Sequence, residues 1–251
     1  NTYIQIAEEH NVDVKTVQRW LDQAEYKRKY IWPRRWYIVM DTTYFWNLGW
    51  VMLFRLRDPT KAKHKRGENL LRYWVDNETN SLYRKWISEL QEMWTEILWI
   101  VCDGRRWLMW GFWDIPTQMC HYHQKAIVRR RIWKSPVLEQ HKELNDISLL
   151  LWKISEQTRI DMVHDRERRY EWRLKERNTS GWFVHSKARA TLKSLKYHKD
   201  YLFVYKQHKG MPSTTNSCEW TFSRLKEKKW IHRWLTPQRR KKLINRYLNW
   251  T

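Results

Sequence analysis

The 251-residue sequence predicts an α/β fold preceded by a short all-α segment. Two observations support this prediction: apolar runs of strand length alternate with segments of helical spacing, and two of the runs end in an aspartate. The first run, 37–40, precedes Asp41, and the second, 97–101, leads through Cys102 into Asp103. In α/β folds, a buried strand that carries a carboxylate at its carboxyl end places a reactive group above the sheet.

The α/β region opens with three extended runs that suggest an antiparallel meander. They are residues 36–45, 48–56 and 70–76. Residues 81–94 then show helical spacing and lead into the run before Asp103. A helix between strands predicts a parallel crossover, which would bring Asp41 and Asp103 to neighbouring strand ends. A fifth strand that passes into a helix is expected within 118–127.

Residues 1–25 have the pattern of two short helices around a tight turn, as in a DNA-binding helix-turn-helix. Asn11 suits a left-handed turn position, and Asp13 suits the start of the second helix. An ordinary helical hairpin is the alternative. The side chains predicted to face DNA are Lys15, Thr16, Gln18 and Arg19.

The charge balance indicates a nucleic-acid partner. Lys and Arg number 49 against 27 Asp and Glu, which gives a net charge of +22, and the excess is spread along the chain. The basic residues 26–35, broken by Pro33, are expected to form a linker that follows phosphates. The alternative is a basic protein with a solvated charged face.

Cysteine usage and hydropathy suggest a reducing cytoplasm and no membrane insertion. The three cysteines form no Cys-x-x-Cys pair, and the sequence has neither a run of 18 apolar residues nor a signal peptide. Since the chain begins at Asn1 without Met, we expect it to be a piece of a longer protein.

A third carboxylate, Glu219, precedes a basic helical pattern at 222–229 in which Arg224 and Lys228 suit phosphate contacts. Together with Asp41 and Asp103, it suits a pair of divalent metals that hold the attacking and leaving oxygens of a phosphodiester. Simpler roles stay open, because aspartates often cap turns and a first-turn glutamate suits the helix dipole.

Four segments carry a resemblance to a known family: DTTYF, VCDGRRWL, CHYHQ and NSCEWTFSRLKEKKWIHRWLTP. They resemble the DDE transposases of bacterial insertion sequences, particularly the Mutator-like group, and the likeness spans about residues 36–250. The resemblance implies a ribonuclease H-like catalytic core with a helical insertion at about 137–180. It also implies two Mg²⁺ ions, with Mn²⁺ as a substitute, bound by the residues that match the family's acidic triad: Asp41, Asp103 and Glu219.

The same resemblance implies an activity and its partners. The family cleaves DNA at transposon ends and joins it to target DNA, and we expect this chain to act on DNA as a homo-oligomer associated with the nucleoid. Cys120 and His123 match the family's Cys-x-x-His pair, for which we expect a structural or substrate-positioning role; a buried Cys and a hydrogen-bonded His are the alternative. Two other functions stay open: a metal-dependent DNA nuclease of the same fold, and an inactive DNA-binding remnant.

The balance of glycine and tryptophan is unusual. At roughly 7% usage a chain of this length would hold about 18 glycines, yet it has 6 glycines and 20 tryptophans. Several tryptophans fall where glycine would suit a turn or a close backbone approach. These are Trp107, Trp110, Trp113, Trp220 and Trp234. We hypothesise that the gene uses UGA for glycine and that UGA has been read as tryptophan.

Overall fold

The computed structural model describes residues 3–23, 35–57, 67–92, 96–105, 108–133, 135–231 and 235–250, without the side chains of residues 21, 36, 228–231, 249 and 250. Within these ranges the chain is a mixed α/β protein with a five-stranded sheet and eleven α-helices. The strands are β1 Arg35–Phe45, β2 Gly49–Arg57, β3 Glu68–Val75, β4 Glu96–Cys102 and β5 Thr117–Met119. The predicted α/β class is confirmed at this level.

The sheet has the strand order β3-β2-β1-β4-β5. The predicted antiparallel meander of β1, β2 and β3 is confirmed, and so is the parallel crossover through helix α3, Asn80–Glu92, into β4. In the parallel pairs Val39 lies opposite Val101, and Cys102 lies opposite Met119. The carboxyl ends of β1, β4 and β5 therefore point toward the same edge of the sheet.

Both faces of the sheet are buried because side chains alternate along each strand and helices cover each side. Ile38 and Met40 pack with α3 in one apolar cluster. Val39 and Val101 share the opposite cluster with two late helices. These helices are α10, Asn216–Ile231, and α11, Pro237–Trp250. Because side chains alternate along β1, Asp41 lies on the same face as Val39 and therefore faces α10.

A group of helices between β5 and α10 has an apolar core of its own. Val128, Ile147 and Leu195 are fully buried within it. Residues 137–180 contribute three of the helices. The group comprises α4 His121–Ile132, α5 Glu139–Leu150, α6 Glu156–Arg169, α7 Glu171–Lys175 and α8 Ser186–Tyr197, and it is followed by the short α9, Val204–Gln207.

The first described segment is a pair of helices, α1 Tyr3–Glu9 and α2 Val14–Gln23. Asn11 has a φ of 48°, in the left-handed region as predicted. The Oδ2 atom of Asp13 accepts a hydrogen bond from the Lys15 N–H at 3.0 Å, as a residue at a helix start can.

None of the helices in the described ranges has the length and apolar character that a membrane crossing needs.

Helix α2 packs against α11 through an ion pair between Asp22 and Arg239 at 2.9 Å. The predicted linker at 26–35 is wrong at its last residue, and its residues 26–34 lie outside the described part of the chain. Arg35 begins β1 because it pairs with Glu96 of β4, in backbone register and through an ion pair of 2.7 Å.

One tryptophan has a backbone conformation typical of glycine. Trp133 ends α4 with φ 71° and ψ 165°, a region that almost only glycine occupies. The suspect residues within the described ranges differ, since Trp110 lies in a 3₁₀ helix, Trp113 has a φ of −59°, and Trp220 lies inside α10. Trp107 and Trp234 lie outside the described residues. Position 133, rather than position 110, 113 or 220, is therefore where the backbone conformation calls for glycine.

Candidate active site

Three neighbouring parallel strands bring chemically reactive side chains to one edge of the sheet. The register that pairs Val39 with Val101 continues to Asp41 and Asp103, and the pairing of Cys102 with Met119 continues to Asp103 and Cys120. The prediction that Asp41 ends its strand is wrong, because antiparallel pairing with β2 keeps β1 extended to Phe45. Asp41 instead marks the place where β1 loses its parallel neighbour.

The two aspartates are held as buried, mutually repelling carboxylates. The Oδ1 atom of Asp41 accepts the Thr42 N–H at 2.8 Å, and that of Asp103 accepts the Arg105 N–H at 3.2 Å. Burial raises the pKa of Asp41 well above its usual range, and the nearby charge of Asp103 raises it further. Burial also raises the pKa of Asp103, against the opposing pull of Arg105. Such a site favours a cation.

Glu219 reaches this edge from α10, which is tied to the sheet by two contacts. Arg55 of β2 donates from Nη1 to Thr221 Oγ1 at 2.6 Å, and the Cys218 thiol donates to the Val39 carbonyl at 3.5 Å. Glu219 lies in the first turn of α10, as predicted. Its charge contributes to the raised pKa of Asp41, so the three predicted carboxylates act on one another.

A fourth carboxylate, Glu78, was missed by the sequence analysis. It lies in the turn between β3 and α3, where its Oε2 pairs with Arg105 Nη1 at 2.8 Å. Its Oε1 accepts the Tyr83 hydroxyl at 2.6 Å, and the Tyr83 oxygen lies 2.6 Å from Thr42 Oγ1. Because the Tyr83 proton goes to Glu78, Thr42 donates to Tyr83.

This network joins Glu78 to the residues that flank both aspartates. Burial raises the pKa of Glu78, and Asp103 raises it further. The acidic cluster, defined as Asp41, Glu78, Asp103 and Glu219, therefore contains four carboxylates, of which Glu78 and Asp103 are opposed by the charge of Arg105. An acidic residue between a strand and a helix is usually interpreted as a turn former. The only sign in the sequence that Glu78 belongs to the site was its position between the two aspartates.

The predicted Cys-x-x-His pair lies beside this cluster at the start of α4. Cys120 Sγ, a ring nitrogen of His123 and a carboxylate oxygen of Glu219 all lie within 4.8 Å of one another. In the described part of the chain, no other three His, Cys, Asp or Glu side chains have ligand atoms within this distance of one another. We refer to Cys120, His123 and Glu219 as the Cys-His-Glu group.

The remaining predicted residues lie apart from the acidic cluster. On α2, Lys15 and Arg19 are exposed, whereas Thr16 and Gln18 are half-buried. The Oε1 atom of Gln18 accepts a long hydrogen bond of 3.4 Å from Arg239 on α11. On α10, Arg224 is exposed and pairs with Glu227 at 3.4 Å. The side chain of Lys228 lies outside the described residues.

A basic cavity of about 430 Å³ borders the loop after Asp103. Gly104 contributes to its wall, and α4 and α8 supply the cations Arg130, Arg131 and Lys193. The buried His198 also lines this cavity, and its Nδ1 lies 2.7 Å from Gln124 Oε1 on α4. Burial lowers the pKa of His198 to about 4, with Arg131 acting in the same direction and the Gly104 carbonyl opposing it.

The arrangement thus combines an acidic cluster, a Cys-His-Glu group and an adjacent basic cavity at one edge of the sheet. All three cysteines, Cys102, Cys120 and Cys218, are buried and free. No known protein-family profile matches the chain. No curated protein matches it by sequence.

Proposed function

We propose that the chain is a DDE transposase, with a ribonuclease H-like core and an amino-terminal helix-turn-helix. The observation that carries the proposal is the meeting of Asp41, Asp103 and Glu219, two of them in register on neighbouring parallel strands and the third above them on α10. This arrangement matches the order and spacing of the acidic residues in the resemblance described above. The excess of basic residues supports DNA as the substrate.

The acidic cluster fits magnesium by its donor chemistry. Its atoms are carboxylate oxygens, which Mg²⁺ prefers, and burial together with like charge raises the pKa of Asp41 and Glu78. A divalent cation would relieve that repulsion. Asp41, Asp103 and Glu219 would hold it. Once bound, it would supply Lewis-acid stabilisation to a scissile phosphate.

The chain's own residues position the DNA strand. Arg130, Arg131 and Lys193 in the basic cavity would bind backbone phosphates next to Asp103. In the first reaction a water oxygen bonds to phosphorus as the phosphodiester bond to the 3′ oxygen breaks, which leaves a free 3′ hydroxyl. In the second, that 3′ oxygen bonds to a target phosphorus and releases a target 3′ hydroxyl.

The amino-terminal helices support a separate role in DNA binding. The left-handed Asn11 closes the tight turn between α1 and α2, and Lys15 and Arg19 are exposed on the second helix. In a helix-turn-helix these positions face the major groove. The packing of α2 on α11 ties this element to the sheet, because α11 covers the face that bears Asp41.

The test is Mg²⁺-dependent cleavage of supercoiled plasmid and of duplexes that carry the gene's flanking sequences. We expect Asp103→Asn to abolish cleavage and to leave DNA binding, followed by fluorescence anisotropy, within twofold. The matched control is Asp114→Asn, which makes the same change at an exposed aspartate outside the acidic cluster and should cleave normally.

Joining of the cleaved 3′ end to a second duplex distinguishes a transposase from a nuclease of the same fold. Cleavage by Asp103→Asn at the normal rate would contradict the assignment of the site. Loss of DNA binding together with cleavage in that variant would also count against a catalytic role for Asp103.

A further inference from the structure

The Cys-His-Glu group is a second ligand set that the transposase proposal does not use as a whole. Cys120 follows β5, His123 lies in the first turn of α4, and Glu219 comes from α10. Three separate positions of the fold thus converge on a volume in which all three donor atoms lie within 4.8 Å of one another. Cys120 and His123 are a local pair, and the tertiary structure adds Glu219 from a distant helix.

A single hydroxyl lies among the three donors. Thr215 Oγ1 is 3.4 Å from Cys120 Sγ, 3.5 Å from His123 Nδ1 and 3.4 Å from Glu219 Oε1. One hydroxyl has one hydrogen to donate, so it cannot donate to all three atoms at once, and its contacts with His123 and Glu219 are long for a nitrogen or oxygen partner. The three donor atoms therefore surround a common point, which a cation would fill with contacts to all three.

We propose that Cys120, His123 and Glu219 bind a borderline-soft divalent cation of the Zn²⁺ class. Sulfur, imidazole nitrogen and carboxylate oxygen are the ligand types of protein zinc sites, whereas Mg²⁺ avoids thiolate and imidazole. The Thr215 backbone N–H lies 3.3 Å from Cys120 Sγ and stabilises a thiolate there. His123 and Glu219 are 26% and 29% exposed, so water reaches the fourth coordination position.

Binding requires only a small contraction of the group. Zinc bonds of about 2.0–2.3 Å bring tetrahedral ligand atoms to within about 4 Å of one another, compared with the 4.8 Å limit that the group now meets. The contraction moves the Thr215 hydroxyl out of the space between the donors. His123 Nε2 is now 4.0 Å from Glu219 Oε1, a separation at which both atoms could contact one cation after a small shift.

The zinc site does not depend on the transposase proposal. One consequence does rest on that proposal: Glu219 belongs to both the acidic cluster and the Cys-His-Glu group, so Zn²⁺ would withdraw a ligand from the magnesium site. Zinc would then lower Mg²⁺-dependent cleavage without altering DNA binding.

The test is titration of the full chain with Co²⁺ as a spectroscopic probe, followed by displacement with Zn²⁺, in excess Mg²⁺ and without DNA. We expect one equivalent of Co²⁺ to produce a thiolate charge-transfer band that one equivalent of Zn²⁺ removes. Cys120→Ser should abolish the band, and His123→Gln and Glu219→Gln should each weaken binding by at least about 100-fold, the upper end of the losses seen when residues that only support metal ligands are changed.

Two controls separate this site from its neighbours. Cys218→Ala removes a different buried thiol, which lies on α10, and Asp103→Asn changes only the acidic cluster. Both variants should bind Co²⁺ as the parent chain does. Circular dichroism establishes that each variant is folded. The proposal is overturned if the folded parent gives no thiolate band, or if the band persists in Cys120→Ser.

Discussion

The acidic cluster and the Cys-His-Glu group occupy equivalent places in the fold but differ in their donor atoms. Asp103 follows β4, and Cys120 follows β5 at the next position in the register. One neighbour thus presents a hard oxygen and the other a soft sulfur. The backbone arrangement therefore fixes only where a cation can lie, whereas the donor atom decides which cation binds.

The two groups also differ in how their charge is balanced. In the acidic cluster, the charge of Arg105 opposes those of Glu78 and Asp103, while burial raises the pKa of Asp41. Around Cys120, by contrast, Thr215 directs both its N–H and its hydroxyl at the sulfur. The first arrangement leaves negative charge for a cation to neutralise, and the second organises a single ligand atom.

The largest expected effect comes from changing one donor atom in each of the two groups. Asp41→Asn should slow Mg²⁺-dependent cleavage by at least about 10³-fold, because it removes an oxygen ligand from the metal that stabilises the reacting phosphate. Cys120→Ser should slow it less than about tenfold, since sulfur is no ligand for Mg²⁺. Initial rates of plasmid nicking measure both. Equal losses in the two folded variants would remove the proposed division between the groups.

The next effect concerns His198, which joins the two sides by contacting Gln124 on α4 and the Gly104 carbonyl after Asp103. Its pKa falls from 6.5 to about 4 in the folded chain. Below pH 6.5 the unfolded chain therefore binds a proton that the folded chain does not. The stability from neutral His198 is complete above pH 6.5 and is lost as the pH falls toward 4, by roughly 3 kcal/mol.

Urea unfolding of the parent chain and of His198→Gln measures this effect. The variant cannot titrate at this position. From pH 7 to pH 4 the parent chain should therefore lose roughly 3 kcal/mol more of its free energy of unfolding than the variant does. Because other groups titrate equally in both chains, their contributions cancel in the difference. A difference that stays constant with pH would show that His198 is not held neutral.

A smaller effect is expected at Glu78, which holds Arg105 and Tyr83 beside the two aspartates. Glu78→Gln keeps the size of the side chain but removes the charge that pairs with Arg105. We expect cleavage to fall by about 10–100-fold, as for residues that orient metal ligands. Co²⁺ binding by the Cys-His-Glu group should stay unchanged. A variant with unaltered cleavage would place Glu78 outside the active site.

The smallest effect concerns Trp133, where α4, the helix that bears His123, ends. Trp133→Gly should raise the free energy of unfolding by about 1 kcal/mol, because it relieves a backbone conformation that costs a bulky residue on the order of 1–3 kcal/mol. Trp133→Ala keeps a Cβ and should give little gain. Because the Trp133 side chain is 69% exposed, both variants lose little buried surface, and the difference between them reports the backbone conformation. A more stable Ala than Gly variant would refute the assignment of glycine to this position.

Local pattern in the sequence was enough to predict the sheet and the place of the aspartates. Apolar runs predicted the strands, and the crossover helix fixed the parallel pairing that sets Asp41 beside Asp103. Glu219 was likewise predicted at the start of a basic helix. The strands and helices are recoverable because each depends on neighbours close in sequence, and the pairing of the distant strands β1 and β4 follows from the rule for a crossover helix.

The missed features depend on contacts between distant segments. Thr215 and Cys120 are 95 residues apart in sequence, so no spacing rule reveals the hydroxyl among the three donors. Glu78 looks like any turn residue until Arg105 and Tyr83 fold onto it.

The most direct test of the distinction between the two groups is a crystal soaked in both Mn²⁺ and Zn²⁺, with anomalous difference maps recorded at each metal's absorption edge. We predict a manganese peak bound by Asp41 and Asp103 and a separate zinc peak bound by Cys120 and His123. Manganese bound away from both aspartates, or both metals in one shared position, would contradict the account.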